Sequence, residues 1–236
     1  MLAKIRTLGA LLALAGSSAL GGAIPGNVAL IGLDHQVYLA DPNGGEPQPL
    51  TRGQAGRMAA AAGGVVAAGY RAAQERPSSE QRFSWPTWSP NGRTILVQGV
   101  TVAGNVAQQA GVYRIDLDHP GAVTPIYENR ERGPIYLYYS PTGREVAVLV
   151  TEQGPLGLLV LGVADGALHP LGLGFPFYFS WRGDGDAIVT HTGGAPAPEH
   201  RAEIALIDVR RAREGGKPDV TRLSDRPVMF RAPAWS

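Results

Sequence analysis

The stretch Trp88-Ser89-Pro90-Asn91-Gly92-Arg93-Thr94-Ile95 decides the fold, because it recurs further along the chain. A second copy, Tyr139-Ser140-Pro141-Thr142-Gly143-Arg144-Glu145-Val146, keeps the aromatic residue, the Ser-Pro pair, the turn glycine and the β-branched residue that follows. A third copy, Trp181-Arg182-Gly183-Asp184-Gly185-Asp186-Ala187-Ile188, loses the Ser-Pro pair. The start of a fourth copy stands at Ala234-Trp235-Ser236. The repeat therefore indicates an architecture built from similar units.

The composition favours a chain of many short strands. Its 236 residues, 44% of them hydrophobic, can bury a sizeable core as one domain or one repeat array. The 32 glycines and 19 prolines lie between short apolar runs, which predicts tight turns and no long helices. The formal net charge of +1 comes without a basic stripe, so neither nucleic acid nor anionic lipid is expected as a partner.

The first 23 residues have the layout of a secretory signal peptide. Lys4 and Arg6 precede an apolar stretch, residues 8–20, which ends in the small residues Gly21-Gly22-Ala23. That stretch is shorter than the ~20 residues of a membrane span, so we expect cleavage after Ala19 or Ala23 rather than an uncleaved anchor. The chain has no cysteine for a disulfide or a lipid anchor. The sequence thus predicts a periplasmic or secreted protein, with residues 24–236 forming one domain.

The copies of the motif follow one another at intervals typical of four-stranded propeller blades, about 40 to 55 residues. Each copy is followed by a β-rich run, a second run that ends near an acidic turn, and a short final strand. This order predicts three blades, at residues 83–127, 134–172 and 175–223. Within the motif, proline fixes φ and glycine supplies a positive φ, so we expect a hairpin turn between the first two strands of each blade.

A fourth blade is predicted from both ends of the chain. Residues 27–51 contain only the later strands of a unit, and residues 228–235 supply the missing first strand. We therefore expect residues 27–31 to pair with residues 229–235, which closes an all-β propeller of about four blades. The alternatives are a fragment of a larger propeller or a fifth blade, with residues 52–82 as an insertion or a degenerate blade.

The repeats resemble those of a known family. They are similar to the WD-like repeats of TolB and of prolyl-oligopeptidase-type propeller domains. The similarity lies in four segments: Pro86-Thr87-Trp88-Ser89-Pro90-Asn91-Gly92, Ala232-Pro233-Ala234-Trp235-Ser236, residues 36–41 and residues 45–51. The resemblance implies a propeller with a central channel, of a kind commonly used for protein or peptide binding in the bacterial periplasm. Only Ile24-Pro25-Gly26 separates the leader from the first predicted strand, so we do not expect the N-terminal α/β domain of TolB or a role in the Tol system.

Aromatic residues concentrate on the predicted first strands, which should line the channel. Large rings at the motif positions Trp88, Tyr139, Trp181 and Trp235 are expected to pack between blades. Neighbouring residues of a strand face opposite sides, so other rings should reach the channel and form a stacking platform for a sugar or a peptide. The candidate ligand-binding residues are Trp85, Tyr136, Tyr138, Phe177 and Phe179.

The sequence predicts no catalytic residues, no cofactor and no metal site. Ser89 and Ser140 are explained by turn chemistry, and the chain has no Gly-x-Ser-x-Gly elbow. The histidines lie at predicted strand ends or turns without metal-ligand spacing, and we expect them on the surface: His35, His119, His169, His191 and His200. The charged run Arg210-Arg211-Ala212-Arg213-Glu214 is expected to be a solvated loop or strand end.

Three functions fit this pattern. The favoured one is an exported non-enzymatic module of the bacterial cell envelope that binds a protein, a peptide or another ligand, because the repeats come without a catalytic constellation. The second is the propeller domain of a prolyl-oligopeptidase-type serine hydrolase without its catalytic domain. The third is a propeller lyase or glycosidase, which would need histidines and acids gathered at the channel mouth.

Overall fold

A computed structural model describes residues 26–51, 79–104, 106–194, 201–224 and 232–235. Blade 1 comprises β1 (Val28–Ile31), β2 (Val37–Ala40) and β3 (Gln48–Pro49). Blade 2 comprises β4 (Glu80–Trp88), β5 (Thr94–Ala103), β6 (Val106–Asp116) and β7 (Val123–Asn129). Blade 3 comprises β8 (Pro134–Tyr139), β9 (Glu145–Thr151), β10 (Leu156–Gly162) and β11 (Leu168–Gly174). Blade 4 comprises β12 (Phe177–Trp181), β13 (Ala187–Thr192), β14 (Glu203–Asp208), the short helix α1 (Arg210–Arg213) and β15 (Asp219–Ser224).

Each blade is an antiparallel meander in which every strand pairs with the next strand along the chain. Blades 2, 3 and 4 have four strands each, and blade 1 has three within the described residues. This arrangement confirms the predicted all-β propeller of about four blades. The described part of the chain also contains no long helix, since α1 has four residues.

The repeated motif forms the same hairpin turn in three blades. The amide of Gly92 donates to the carbonyl of Ser89 at 2.9 Å, and Gly143 and Gly185 make the equivalent bonds at 2.9 Å. These glycines have φ values of 68°, 72° and 76°, which side chains with a Cβ rarely adopt. The predicted hairpin between the first two strands is confirmed, and the loss of Ser-Pro in the third copy leaves it unchanged.

Buried side chains of each central strand alternate between two neighbouring blades. In β9, Val146, Val148 and Val150 pack towards blade 2, whereas Ala147 and Leu149 pack towards blade 4. Because successive residues of a strand face opposite sides, a strand covered on both faces becomes apolar throughout. The three hydrophobic clusters of the described residues thus lie between blades 1 and 2, 2 and 3, and 3 and 4.

Two motif tryptophans form hydrogen bonds with the backbone of a neighbouring blade. The indole nitrogen of Trp181 donates to the carbonyl of Tyr138 at 3.1 Å, and that of Trp235 donates to the carbonyl of Ser180 at 3.1 Å. Each acceptor directly precedes the motif aromatic of the preceding blade. Trp235 therefore lies against blade 4 as Trp181 lies against blade 3, although its ring remains 38% exposed.

The strand boundaries refine the predicted blades. Strand β4 begins at Glu80, inside the segment 52–82 that was expected to be an insertion or a degenerate blade, and residues 52–78 lie outside the described part. Residues 225–231 also lie outside it, and residues 232–235 are described without strand structure. The pairing of the two ends of the chain therefore stays a prediction, as does the signal peptide.

Two expectations about polar residues are wrong. Residues 210–213 form a helical turn that brings Arg213 into an ion-pair network, where a solvated loop or strand end was expected. His191 is completely buried, where a surface position was expected. The reason is its place on β13, a second strand that has a paired strand on either side and neighbouring residues packed on both faces.

Candidate functional site

Trp85 lies at a break in the regular pairing of blade 2. Strands β4 and β5 shift register between Ser84 and Thr87, so that Trp85 and Pro86 form a bulge. Trp85 has a φ of 50°, and a bulky residue in this left-handed region stores about 1–3 kcal/mol of strain. Its indole nitrogen donates to the carbonyl of Leu137 in blade 3 at 3.3 Å. The bulge thus turns the indole ring away from blade 2 and onto the next blade.

Four rings from three blades meet around this bulge and form what is here called the aromatic cluster: Trp85, Tyr136, Tyr138 and Phe179. The centroids of Trp85 and Tyr136 are 4.5 Å apart with an interplanar angle of 64°. Tyr138 lies 6.0 Å from Trp85 at 86° and 5.7 Å from Phe179 at 79°. Such edge-to-face pairs contribute about 0.5–1.5 kcal/mol each beyond area burial, so the rings hold one another in place.

Three members of the cluster reach solvent. Trp85, Tyr136 and Tyr138 are 38%, 39% and 40% exposed, whereas Phe177 and Phe179 are only 6% and 4% exposed. The five candidate residues therefore divide into an exposed set of three and two core rings. Phe179 supports Tyr138 from within the interface of blades 3 and 4, and Phe177 packs in the same interface.

The number of positions between each residue and the motif aromatic of its strand explains this division, because residues an even number apart share a face. Phe177 and Phe179 stand four and two positions before Trp181, so they share its face and pack between blades. Tyr138 stands one position before Tyr139 and faces the other way. In β4 the bulge shifts the phase, so that Phe83 is buried and Trp85 is exposed. Counting from the motif aromatic would have separated Phe177 and Phe179 from Tyr138 in advance.

Neutral polar groups lie beside the cluster. Burial raises the pKa of the Tyr138 hydroxyl, and the nearby Tyr178 and Tyr136 raise this pKa further, so the group stays neutral over the physiological range. Ser84 donates to the side-chain oxygen of Gln98 at 2.8 Å, and the Gln98 amide donates to the Ile135 carbonyl. The surface can therefore stack on apolar or planar groups and form hydrogen bonds with neutral ones.

An ion-pair network between blades 3 and 4 was not predicted from the sequence. The guanidinium of Arg213 in α1 donates to both carboxylate oxygens of Glu145 at 2.7 and 2.6 Å, and to Asp186 at 2.7 Å. Glu145 stands where the other copies have Thr94 and Ala187, at the start of an otherwise apolar buried strand. An acid at such a position needs a partner, and that requirement was the available signal.

The described residues were also searched for metal-binding groups and for membrane-spanning helices. Within the ranges that the structure describes, no three histidine, cysteine or acidic side chains come together in a way that could hold a metal ion. None of the helices in those ranges is long and apolar enough to cross a membrane.

Comparisons with known proteins give similarity at the level of structure. No protein-family model matches the sequence. No curated protein matches it either. TolB from Acinetobacter baumannii superposes with a TM-score of 0.55 and 13% identity, over 88% of this chain and 44% of that one. A TolB-type protein from Agrobacterium tumefaciens gives 0.49 at 20% identity, over 80% of this chain and 56% of that one.

The β-propeller domain of the Trilobed protease from Pyrococcus furiosus gives a TM-score of 0.45 at 12% identity, over 61% of this chain and 43% of that one. This chain thus spans about half the length of the TolB structures that it matches, 56% and 44%. At such identities the likeness is one of fold. Together with the repeated four-stranded sheets, the superposition on the Acinetobacter protein confirms the resemblance inferred from the repeats: this chain has the β-propeller fold of the TolB-like family.

Proposed function

We propose that this protein is a non-enzymatic binding module of the bacterial cell envelope, which holds a protein or peptide segment on its aromatic cluster. The observation that carries the proposal is the exposed set of Trp85, Tyr136 and Tyr138, assembled across two blades at a strained bulge. Backbone strain persists where the surroundings enforce it, and it concentrates at ligand-binding positions. Exposed aromatic rings that are held rigid are the usual anchors of protein interfaces.

The chemistry of the cluster favours a neutral, ring-bearing peptide segment. Proline or aromatic side chains can stack on the indole of Trp85 and the ring of Tyr138, while the tyrosine hydroxyls accept or donate hydrogen bonds. Because the rings are already fixed by mutual contacts, little side-chain entropy is lost on binding. No ionised group is needed for this recognition, so we expect the affinity to depend weakly on salt.

The hydroxyls of the motif serines support a role without catalysis. Ser89 accepts from the Thr94 amide at 3.0 Å and donates to Asn91 at 2.7 Å. Ser140 bonds the Thr142 hydroxyl at 2.9 Å. Both serines thus serve the turn, which accounts for their presence in the motif.

The binding proposal is tested by capture from a cell-envelope extract, followed by measurement of the affinity of the recovered protein or peptide. Trp85→Ala and Tyr138→Ala should each weaken binding by about tenfold or more, as expected for hot-spot aromatics. Leu173→Ala is the matched control, since Leu173 is 64% exposed on β11 and lies outside the cluster. Unchanged capture by both cluster variants would refute the site, and capture of a glycan alone would replace the peptide by a sugar.

Export is part of the proposal and has its own test. The charged start and apolar stretch of residues 1–23 support signal-directed export. Expression with a C-terminal tag should give a soluble periplasmic or secreted product whose mass begins after Ala19 or Ala23. An intact Met1 on a membrane-bound product would contradict this part while leaving the binding test in force.

A further inference from the structure

The turn end of blade 2 contains a pair of opposite charges. In blade 2, the Leu117 amide donates to the Arg93 carbonyl at 3.0 Å, and the next residue, Asp118, forms an ion pair with Arg93 at 2.8 Å. The backbone bond fixes the two positions next to each other, so a residue at one can pair with a residue at the other. Arg93 thus has a counter-charge supplied by its own blade.

The same backbone bond identifies the equivalent positions in the next two blades. In blade 3, the Val163 amide donates to the Arg144 carbonyl at 3.0 Å, which puts Ala164 where blade 2 has Asp118. In blade 4, the Val209 amide donates to the Asp186 carbonyl at 3.0 Å, which puts an acid at the first position and Arg210 at the second. Here Asp186 forms an ion pair with Arg213, and Arg210 forms one with Asp208. At these positions, Arg93 and Arg210 each have a carboxylate partner, whereas Arg144 has none among the described residues.

Arg144 and Ala164 line a cleft of about 560 Å³ between neighbouring blades. Its other charged or titratable walls come from three blades: Arg114, Glu145, Asp165, His169 and Arg213. This volume lies within the range of small-molecule sites. The cleft shares no residue with the aromatic cluster, so a ligand there would be independent of the proposed peptide-binding function.

The ionised groups of the cleft are not equally available. Glu145 and Arg213 engage each other through two hydrogen bonds, at 2.7 and 2.6 Å, and Asp165 accepts from the Ala167 amide at 3.0 Å. Arg114 resembles Arg144 in having no ion pair among the described residues. The guanidinium groups of Arg114 and Arg144, from adjacent blades, therefore line the cleft without an ion-pair partner among the described residues. The imidazole of His169 and the carboxylate of Asp165 line the same cleft.

We propose that this cleft binds an oxyanion, a carboxylate or phosphate group, through Arg144 and Arg114. The guanidinium fork matches both groups because each presents two oxygens to parallel N–H donors. Alanine at position 164 leaves the charge of Arg144 for a ligand, where the equivalent acid in blade 2 neutralises Arg93. The ligand takes the place that an internal carboxylate has in the preceding blade.

The test is calorimetric titration of the full chain with inorganic phosphate and with citrate. The affinity of each probe is measured at low ionic strength and again after addition of sodium chloride. Binding of either probe is expected, weakening with salt as charge pairing requires. Arg144→Gln should lower the affinity by about tenfold. Arg93→Gln is the matched control, since Arg93 has the same turn position but is already paired, and it should leave the affinity unchanged.

A gain-of-pair variant separates binding from folding. Ala164→Asp restores the acid that blade 2 has at this position, so the fold should be retained while binding of the probe is lost. Binding of phosphate alone, citrate alone or both supports the proposal and identifies the group. The absence of heat with both probes up to about 10 mM, or equal affinity in Ala164→Asp and the natural chain, would overturn it.

Discussion

Replacement of Arg213 by methionine should lower the free energy of unfolding by about 3 kcal/mol, because it removes the charge that ties blade 4 to blade 3. The guanidinium donates to both oxygens of Glu145, to Asp186 and, at 2.6 Å, to the carbonyl of Gly185. The Arg213 side chain is 29% exposed and that of Glu145 only 12%. Methionine keeps the apolar stem and removes every one of these donors.

The magnitude follows from what the substitution leaves behind. Asp186 is 38% exposed and can be rehydrated, whereas Glu145 would remain a carboxylate with little access to water. Removal of one partner of a buried pair costs about 3–5 kcal/mol, and the partial exposure of Arg213 places the expected value at the lower end. For a chain of this size, such a loss corresponds to a fall in Tm of about 6–12 °C.

The loss can be measured by urea denaturation with circular dichroism as the signal. A lower midpoint urea concentration with an unchanged m-value would report the lost stability. Arg93→Met is the control, because the Arg93–Asp118 pair is mostly exposed and should change stability by less than about 1 kcal/mol. The double variant Arg213→Met/Glu145→Leu should recover most of the loss, since an apolar pair can replace a buried ion pair. A single variant as stable as the control, or a double variant no better than the single one, would refute the reasoning.

Three further outcomes are expected. Gly143→Ala should cost about 2 kcal/mol and Gly92→Ala about 1 kcal/mol in urea denaturation, because both have positive φ but only the Cβ at position 143 would come within 3.3 Å of a proline ring. Burial and a neighbouring carboxylate raise the pKa of Tyr113 to about 12, so stability should fall as the pH rises from about 10 towards 12, and Tyr113→Phe should reduce that fall. If the C-terminal segment pairs with β1, Trp235→Ala should speed amide hydrogen exchange in β1 more than in β13. An equal increase in the two strands would contradict the predicted pairing of the chain ends.

Most of the architecture could be predicted because the deciding interactions are local. The turn needs a residue with positive φ, and the glycine that supplies it is visible in the sequence at Gly92, Gly143 and Gly185, with a proline before it in the first two copies. Apolar runs such as β9 then follow at the spacing of a blade. The paired sheets repeat this local order, so the number of described blades could be counted before any contact was known.

The features that escaped prediction depend on residues far apart in the chain. Arg213 reaches Glu145 across 68 positions, and no local pattern announces that meeting. The bulge at Trp85 is equally hidden, since its register shift reflects the fit of the ring onto blade 3. His191 was expected on the surface because it stood at the end of a predicted strand, whereas β13 continues to Thr192 and is covered on both faces at His191.

The repeats nevertheless contain a guide to function, because they supply an internal reference for each position. Where the three copies agree, as at Gly92, Gly143 and Gly185, the residue is explained by the turn. Where they differ, the turn chemistry does not explain the difference. The first two strands shift register in blades 2 and 3, but only at Trp85 does the shift come with a positive φ, and Ala164 stands where blade 2 has the acid that pairs with its arginine. The two proposals assign these departures to ligands, and the two lie on separate surfaces. Variants at Trp85 and Ala164 should therefore change binding independently of each other, and a coupling between them would mean that the two surfaces form one site.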